Sequence, residues 1–145
     1  MKPNKVIPIF TSSIEIVIPS HAANNTLCVF IETAPPGGGP PPHRHDREDE
    51  VFTVLEGVFE FYADGVWSPF SVGETRISLR GNYHAFRNVG STPGRMMLMT
   101  NGGGIDEYFT HISELRIPQD LDRLAAISSY YGYYYLPPGE SAAAK

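Results

Sequence analysis

His43 and His45 stand one residue apart, and Glu50 follows five residues after the second of them. Side chains of an extended strand alternate with period two, so both imidazoles face one side of such a strand. Imidazole and carboxylate are the donors that iron, manganese, nickel, zinc and copper accept. A third imidazole, His84, lies in a later segment that glycines also punctuate. Three imidazoles and a carboxylate leave one or two positions for water, dioxygen or a substrate, which distinguishes a catalytic metal site from a closed structural one. The expected cofactor is one divalent transition metal, and the expected partner is a small molecule. Taken singly, each histidine reads more simply as a surface or turn residue; the case rests on all four donors together. Glu48 is the rival carboxylate, and Glu50 is preferred because it begins an apolar run. His21 and His111 have no partners in the sequence and read as a loop residue and a helix-surface residue.

These donors need strands to carry them. Ile14 to Ile18 and Thr26 to Thr33 are rich in β-branched and aromatic residues and read as strands. The proline–glycine run from Pro35 to Pro42 cannot join a central sheet and makes a stiff approach loop before His43. Glu50 to Leu55, Val58 to Ala63, Val66 to Phe70, Thr75 to Leu79, His84 to Val89 and Arg95 to Thr100 continue the series. Asp64-Gly65 is a type I′ hairpin signal. Short strands at this spacing predict an all-β sandwich or small antiparallel barrel.

The period changes after Gly102-Gly103-Gly104. Ile105, Tyr108, Phe109, Ile112 and Leu115 follow helical spacing, and Pro118 closes that segment. A second helix is expected from a cap at Asp120, burying Leu121, Leu124 and Ile127 and ending near Gly132. The whole chain, 1–145, then reads as one domain: a barrel core over about 14–101, a helical extension over 104–131 and a final strand over 133–136. The short helices are expected to cover the barrel or a dimer contact.

With 41% hydrophobic residues, the chain has neither a disordered nor a membrane composition, and 13 prolines with 14 glycines suit an all-β protein rich in turns. A net charge of -5 disfavours nucleic acid as a partner. No segment reaches transmembrane length and the N-terminus lacks a signal-peptide core, so no membrane partner and a cytoplasmic location are expected. The one cysteine, Cys28, sits in an apolar run and reads as a small core residue. In Met96-Met97-Leu98-Met99 strand alternation should bury about half the side chains, and the tyrosines from Tyr130 to Tyr135 read as a packing or dimer surface rather than a lid.

Gly37, five residues, His43, one residue, His45, four residues, Glu50, six residues and Gly57 resemble the first motif of the cupin family at every defining position. Gly73, five residues, Leu79, one residue, Gly81, two residues, His84, three residues and Asn88 resemble the second. Leu79 departs from it, standing where that family usually has proline. The resemblance implies a jelly-roll barrel with short C-terminal helices appended, and a metal held inside by His43, His45, Glu50 and His84. Glu50 has the opposite parity to His43 and His45, so Asp46 to Asp49 must turn the chain between them, with Arg47 available to orient a further carboxylate. Glu50, Phe52 and Val54 would then point inward together, and His84, Phe86 and Asn88 would share one side.

Within that family the texture is similar to quercetin dioxygenase-like single-domain cupins. This implies a metal-dependent dioxygenase acting on a small aromatic or enolic compound. Glu50 would be both ligand and general base, and Phe52, Val54 and Phe86 would line the substrate pocket. The alternatives are a metal-dependent isomerase, lyase or hydrolase without oxygen chemistry, and a non-enzymatic small-molecule binder, because cupin barrels host all of these. A homodimer is expected, paired through the apolar N-terminal strands and the tyrosine-rich tail.

Overall fold

Strands form where apolar side chains alternate with polar ones, and burial follows the same period of two. The computed structural model describes residues 2–140. In chain order it contains β1 (Val6–Ile9), β2 (Ser12–Ile18), a 3₁₀ turn (Ser20–Ala23), β3 (Cys28–Ala34), β4 (His43–His45) and β5 (Glu50–Glu56). Then come β6 (Phe59–Ala63), β7 (Val66–Phe70), β8 (Thr75–Ser78), β9 (His84–Asn88) and β10 (Gly94–Thr100). The helices α1 (Ile105–Ile112) and α2 (Leu121–Tyr131) precede a last strand, β11 (Tyr133–Tyr135).

Two antiparallel sheets result, in the orders β1-β2-β3-β10-β5-β8 and β11-β4-β9-β6-β7. From β3 onward the chain shuttles between them, which is the jelly-roll arrangement expected from the sequence. Phe30, Phe52, Phe59, Phe70, Ile14 and Met96 fill the space between the sheets. Several of these rings meet edge to face, as in Phe52–Phe61 at 5.0 Å and 67°. Ile105, Tyr108 and Ile112 of α1 and Leu124 of α2 join the same core.

β1 had no counterpart among the expected strands, because Pro8 interrupts it. It is an edge strand that pairs only with β2, where a missing N–H costs no ladder bond. Asp64 and Gly65 both have positive φ, as a type I′ turn requires. Cys28 is fully buried, and burial, followed by the charge of Asp106, pushes its thiol up to about 12. Met96 and Leu98 point into the core while Met97 and Met99 face outward. The Asp120 carboxylate accepts from the backbone N–H of Arg116 at 2.8 Å instead of capping α2, and Leu121 is exposed while Leu124 is buried. Gly132 ends α2 with φ of 81°, as the glycine signal implied.

Candidate metal centre

The parity conflict between the histidines and Glu50 is resolved by a change of sheet. His43 and His45 lie on β4, His84 opens β9 beside it, and His43 and His84 are register partners. Glu50 opens β5 in the opposite sheet and faces them across the interior. One donor atom from each of the four lies within 4.8 Å of the others. The crossing from β4 to β5 is pinned by Asp49. Its carboxylate accepts from the Arg80 backbone N–H at 2.8 Å and from Asn101 Nδ2 at 2.8 Å, while its own N–H donates to Asn101 Oδ1 at 2.7 Å. These hydrogen bonds, that from the Arg80 backbone foremost, hold the Asp49 carboxyl at about 2.

The donor set fits a metal ion in three respects. His43 Nδ1–H donates to the Pro41 carbonyl at 2.8 Å, which leaves Nε2 as a free lone pair. Burial, reinforced by His84 and His45, holds this imidazole well below its usual range, so it is neutral. His45 Nε2 and His84 Nε2 lie 3.3 Å and 3.0 Å from Glu50 Oε2, yet His84 Nε2 completes no hydrogen bond. Buried polar atoms left without partners are rare, and His84 Nε2 is one that faces the other donors.

Charge balance is the third respect. Burial opposes the charge of His45, but Glu50 and Glu48 outweigh it and raise the imidazole. Burial likewise opposes ionisation of Glu50, and His45 and His84 overcome it and lower the carboxyl. Glu48 and Glu50 are both buried, and no lysine or arginine is buried among the described residues. Two carboxyls flanking His45, with no lysine or arginine buried beside them, suit a divalent ion.

Glu48, the rival carboxylate, does not join the four-donor group. Its Oε1 stands 3.3 Å from His45 Nδ1, on the far side of that ring. Arg47 does not orient a carboxylate; its Nη1 donates to the Tyr130 carbonyl at 3.0 Å and ties down the C-terminal segment. β11 pairs with β4 along its length, Tyr133 opposite His45 and Tyr135 opposite His43. The tyrosine tail is thus split: Tyr130 is 74% exposed, while Tyr133 and Tyr135 line the interior beside the histidines. The ring of Tyr133 sits 4.5 Å from that of His45.

A cavity of about 100 Å³ opens above the four donors. Phe52 and Phe86 line it together with Phe30, Tyr108 and Phe109, whereas Val54 is buried in the core without lining it. Glu32 also lines it, and its signal lay in the alternation of β3, where Cys28, Phe30, Glu32 and Ala34 all point inward. Among the described residues no lysine or arginine lines the cavity. Its far wall is the β1–β2 turn, where Phe10 is 55% exposed, so the cavity meets solvent there.

A two-sheet jelly roll with such donors at the starts of β4, β5 and β9 is a cupin fold. Residues 30–100 match the family described as a cupin domain. Among solved structures, a predicted oxalate decarboxylase of Thermotoga maritima is similar at TM-score 0.63 and 20% identity, over 69% of this chain and 92% of that one. A polyketide cyclase, RemF, of Streptomyces resistomycificus is similar at TM-score 0.60 and 20% identity, over 69% and 78%. A sugar phosphate isomerase of Silicibacter pomeroyi is similar at TM-score 0.57 and 21% identity, over 69% of each. At such identity the likeness establishes the fold. Among curated proteins no sequence matches this one.

Proposed function

We propose that the protein is a metal-dependent oxygenase of a small, uncharged phenolic or enolic compound, with His43, His45, Glu50 and His84 holding one divalent transition metal. The observation that carries this reading is the convergence of three buried donors and the half-buried His43 at a cavity lined by aromatic rings, with no lysine or arginine among its described lining residues. Without lysine or arginine, a phosphate or a dicarboxylate would find no counter-charge in the protein. A flat ring suits the aromatic walls.

Glu50 is the base: its ionised carboxylate takes the hydroxyl proton of the phenol or enol and leaves the substrate oxygen anionic. A bound ion would supply Lewis-acid stabilisation of that oxygen and, if redox-active, a route for electrons to dioxygen. Phe52 and Phe86 hold the ring against the site and exclude water. Glu48 orients His45 through Nδ1, as carboxylates behind metal-binding imidazoles do.

The test is oxygen uptake by protein loaded separately with iron, manganese, nickel, copper or zinc, against single-ring phenols and small enols. No uptake with any redox-active ion sinks the oxygenase reading. A second reading, proton-transfer chemistry without oxygen, is favoured by the extra carboxyl of Glu32 in the same cavity. It also fits the isomerase, decarboxylase and cyclase named among the similar structures. Turnover that continues anaerobically and with zinc selects it. Two copies are proposed to pair through the N-terminal strands and the tyrosine-rich tail, where Val6, Val17, Ile18 and Tyr130 are exposed.

A further inference from the structure

Among the described residues, Glu32 is the one buried carboxyl that neither the four-donor group nor its supporting residues account for. It is 7% exposed, it lines the cavity, and its Oε2 has no hydrogen-bond partner. Its strand neighbours offer none: Glu32 is register partner to Ile14 on β2 and to Met96 on β10. Met96 in turn is partner to Val54, four residues beyond Glu50 along β5. Glu32 is therefore set four residue positions farther along the sheet than Glu50 and two strands away, and its carboxyl stays near enough to feel the Glu50 charge. The donor cluster and this carboxyl line the same cavity from different strands.

An unpaired carboxylate in such surroundings is costly, whereas the neutral acid is a hydrogen-bond donor awaiting an acceptor. We infer that Glu32 is a substrate-recognition residue: as a carboxylic acid it donates a hydrogen bond to a carbonyl or similar acceptor oxygen on the substrate, at the end opposite the hydroxyl that enters the His/Glu cluster. The inference rests on the reading of that cluster as the substrate's anchoring point. It specifies the substrate class further: a small apolar molecule with an ionisable hydroxyl at one end and an uncharged oxygen acceptor at the other. Burial, followed by the nearby charge of Glu50, raises the Glu32 carboxyl to about 8, in keeping with a neutral acid at pH 7. A carboxylic acid kept neutral by an apolar site so that it can donate a hydrogen bond is an established device in other enzymes.

The experiment is anaerobic calorimetric titration of cobalt-loaded protein at pH 7 with 3- and 4-hydroxybenzaldehyde and with the matching methylphenols. Each pair shares the phenol oxygen and differs in the acceptor. In the native protein at least one aldehyde should bind about 10-fold more tightly than its methylphenol. Glu32→Leu should abolish that preference while leaving methylphenol affinity unchanged or improved. Glu32→Gln, whose amide still donates, should retain part of it. Equal aldehyde preference in native protein and Glu32→Leu, or no preference in either, overturns the inference. The cobalt absorption spectrum, recorded first, reports separately on the cluster: failure to bind cobalt refutes the metal reading. In that case the infrared band of a protonated carboxyl, present in native protein and absent in Glu32→Gln, still tests the neutral donor, and its absence from native protein overturns it.

Discussion

At the residue scale, the site is defined by which atoms lack partners. His84 has neither ring nitrogen hydrogen-bonded, although the ring is almost wholly buried. Removing it should therefore cost little in hydrogen bonding and much in metal affinity. His84→Ala is expected to weaken metal binding at least about 100-fold, read by elemental analysis of protein purified without a metal-affinity column. Full occupancy in that variant would refute the proposed ligand set. Glu48→Gln, which keeps the size and removes the charge behind His45, should weaken binding by about 10- to 100-fold. Glu32 makes a prediction about pH. Its carboxyl is raised from 4.5 to about 8, so below that window the folded and unfolded chains are both protonated. Within the window only the folded chain holds the proton, and stability falls as pH rises. Metal-free protein should lose a few kcal/mol at most between those limits through this group. Glu32→Gln should flatten that part of the profile, as measured by thermal melts across the range.

At the element scale, the positions of the donors depend on two segments that contribute none. Gly39, in the approach loop, has φ of 130°, and a Cβ there would collide with the Phe86 backbone carbonyl. The loop is docked on β9 by reciprocal bonds: Gly37 N–H donates to the Asn88 carbonyl at 2.8 Å, and Asn88 N–H donates to the Gly38 carbonyl at 2.9 Å. Gly39→Ala is expected to cost about 2 kcal/mol or more in stability, seen in chemical denaturation, and to loosen metal binding because the loop leads through Pro40 to Pro42 into His43. β11 is the second segment. Besides one register pair with β9 and the Gly81 N–H that donates to the His45 carbonyl at 2.7 Å, β4 is held by β11. Truncation after Gly132 should reduce metal affinity although every proposed ligand remains; undiminished affinity would show that β4 is positioned without it.

At the scale of the whole molecule, a metal bound only by the folded state should stabilise it through linkage. At an ion concentration 100 times the dissociation constant the gain is about 2.7 kcal/mol, or roughly 5–10 °C in melting temperature for a chain of this size. A chelator should reverse it, and an unchanged melting temperature would count against metal binding. Light scattering at micromolar concentration tests the pairing of copies, with twice the 16.0 kDa chain mass expected. Among the described residues no helix is long and apolar enough to cross a membrane.

Local sequence determined a good deal. The types and spacing of His43, His45, Glu50 and His84 announced a metal-type cluster, and the alternation within each segment announced most strands and both helices. These are short-range properties, set by backbone period and donor chemistry. Pro8 hid β1 because proline's cost depends on whether a neighbouring strand needs its N–H, and that neighbour is a matter of topology. The tyrosine tail read as outer packing because Tyr133 and Tyr135 meet the histidines only after the chain has folded back across the barrel. Tertiary structure alone decided that Glu50 faces β4 from the opposite sheet, that Glu48 backs His45, and that Glu32 looks into the same cavity. Each of these is an encounter between residues on different strands, and a linear chain carries no local signal for which of its buried charges will meet.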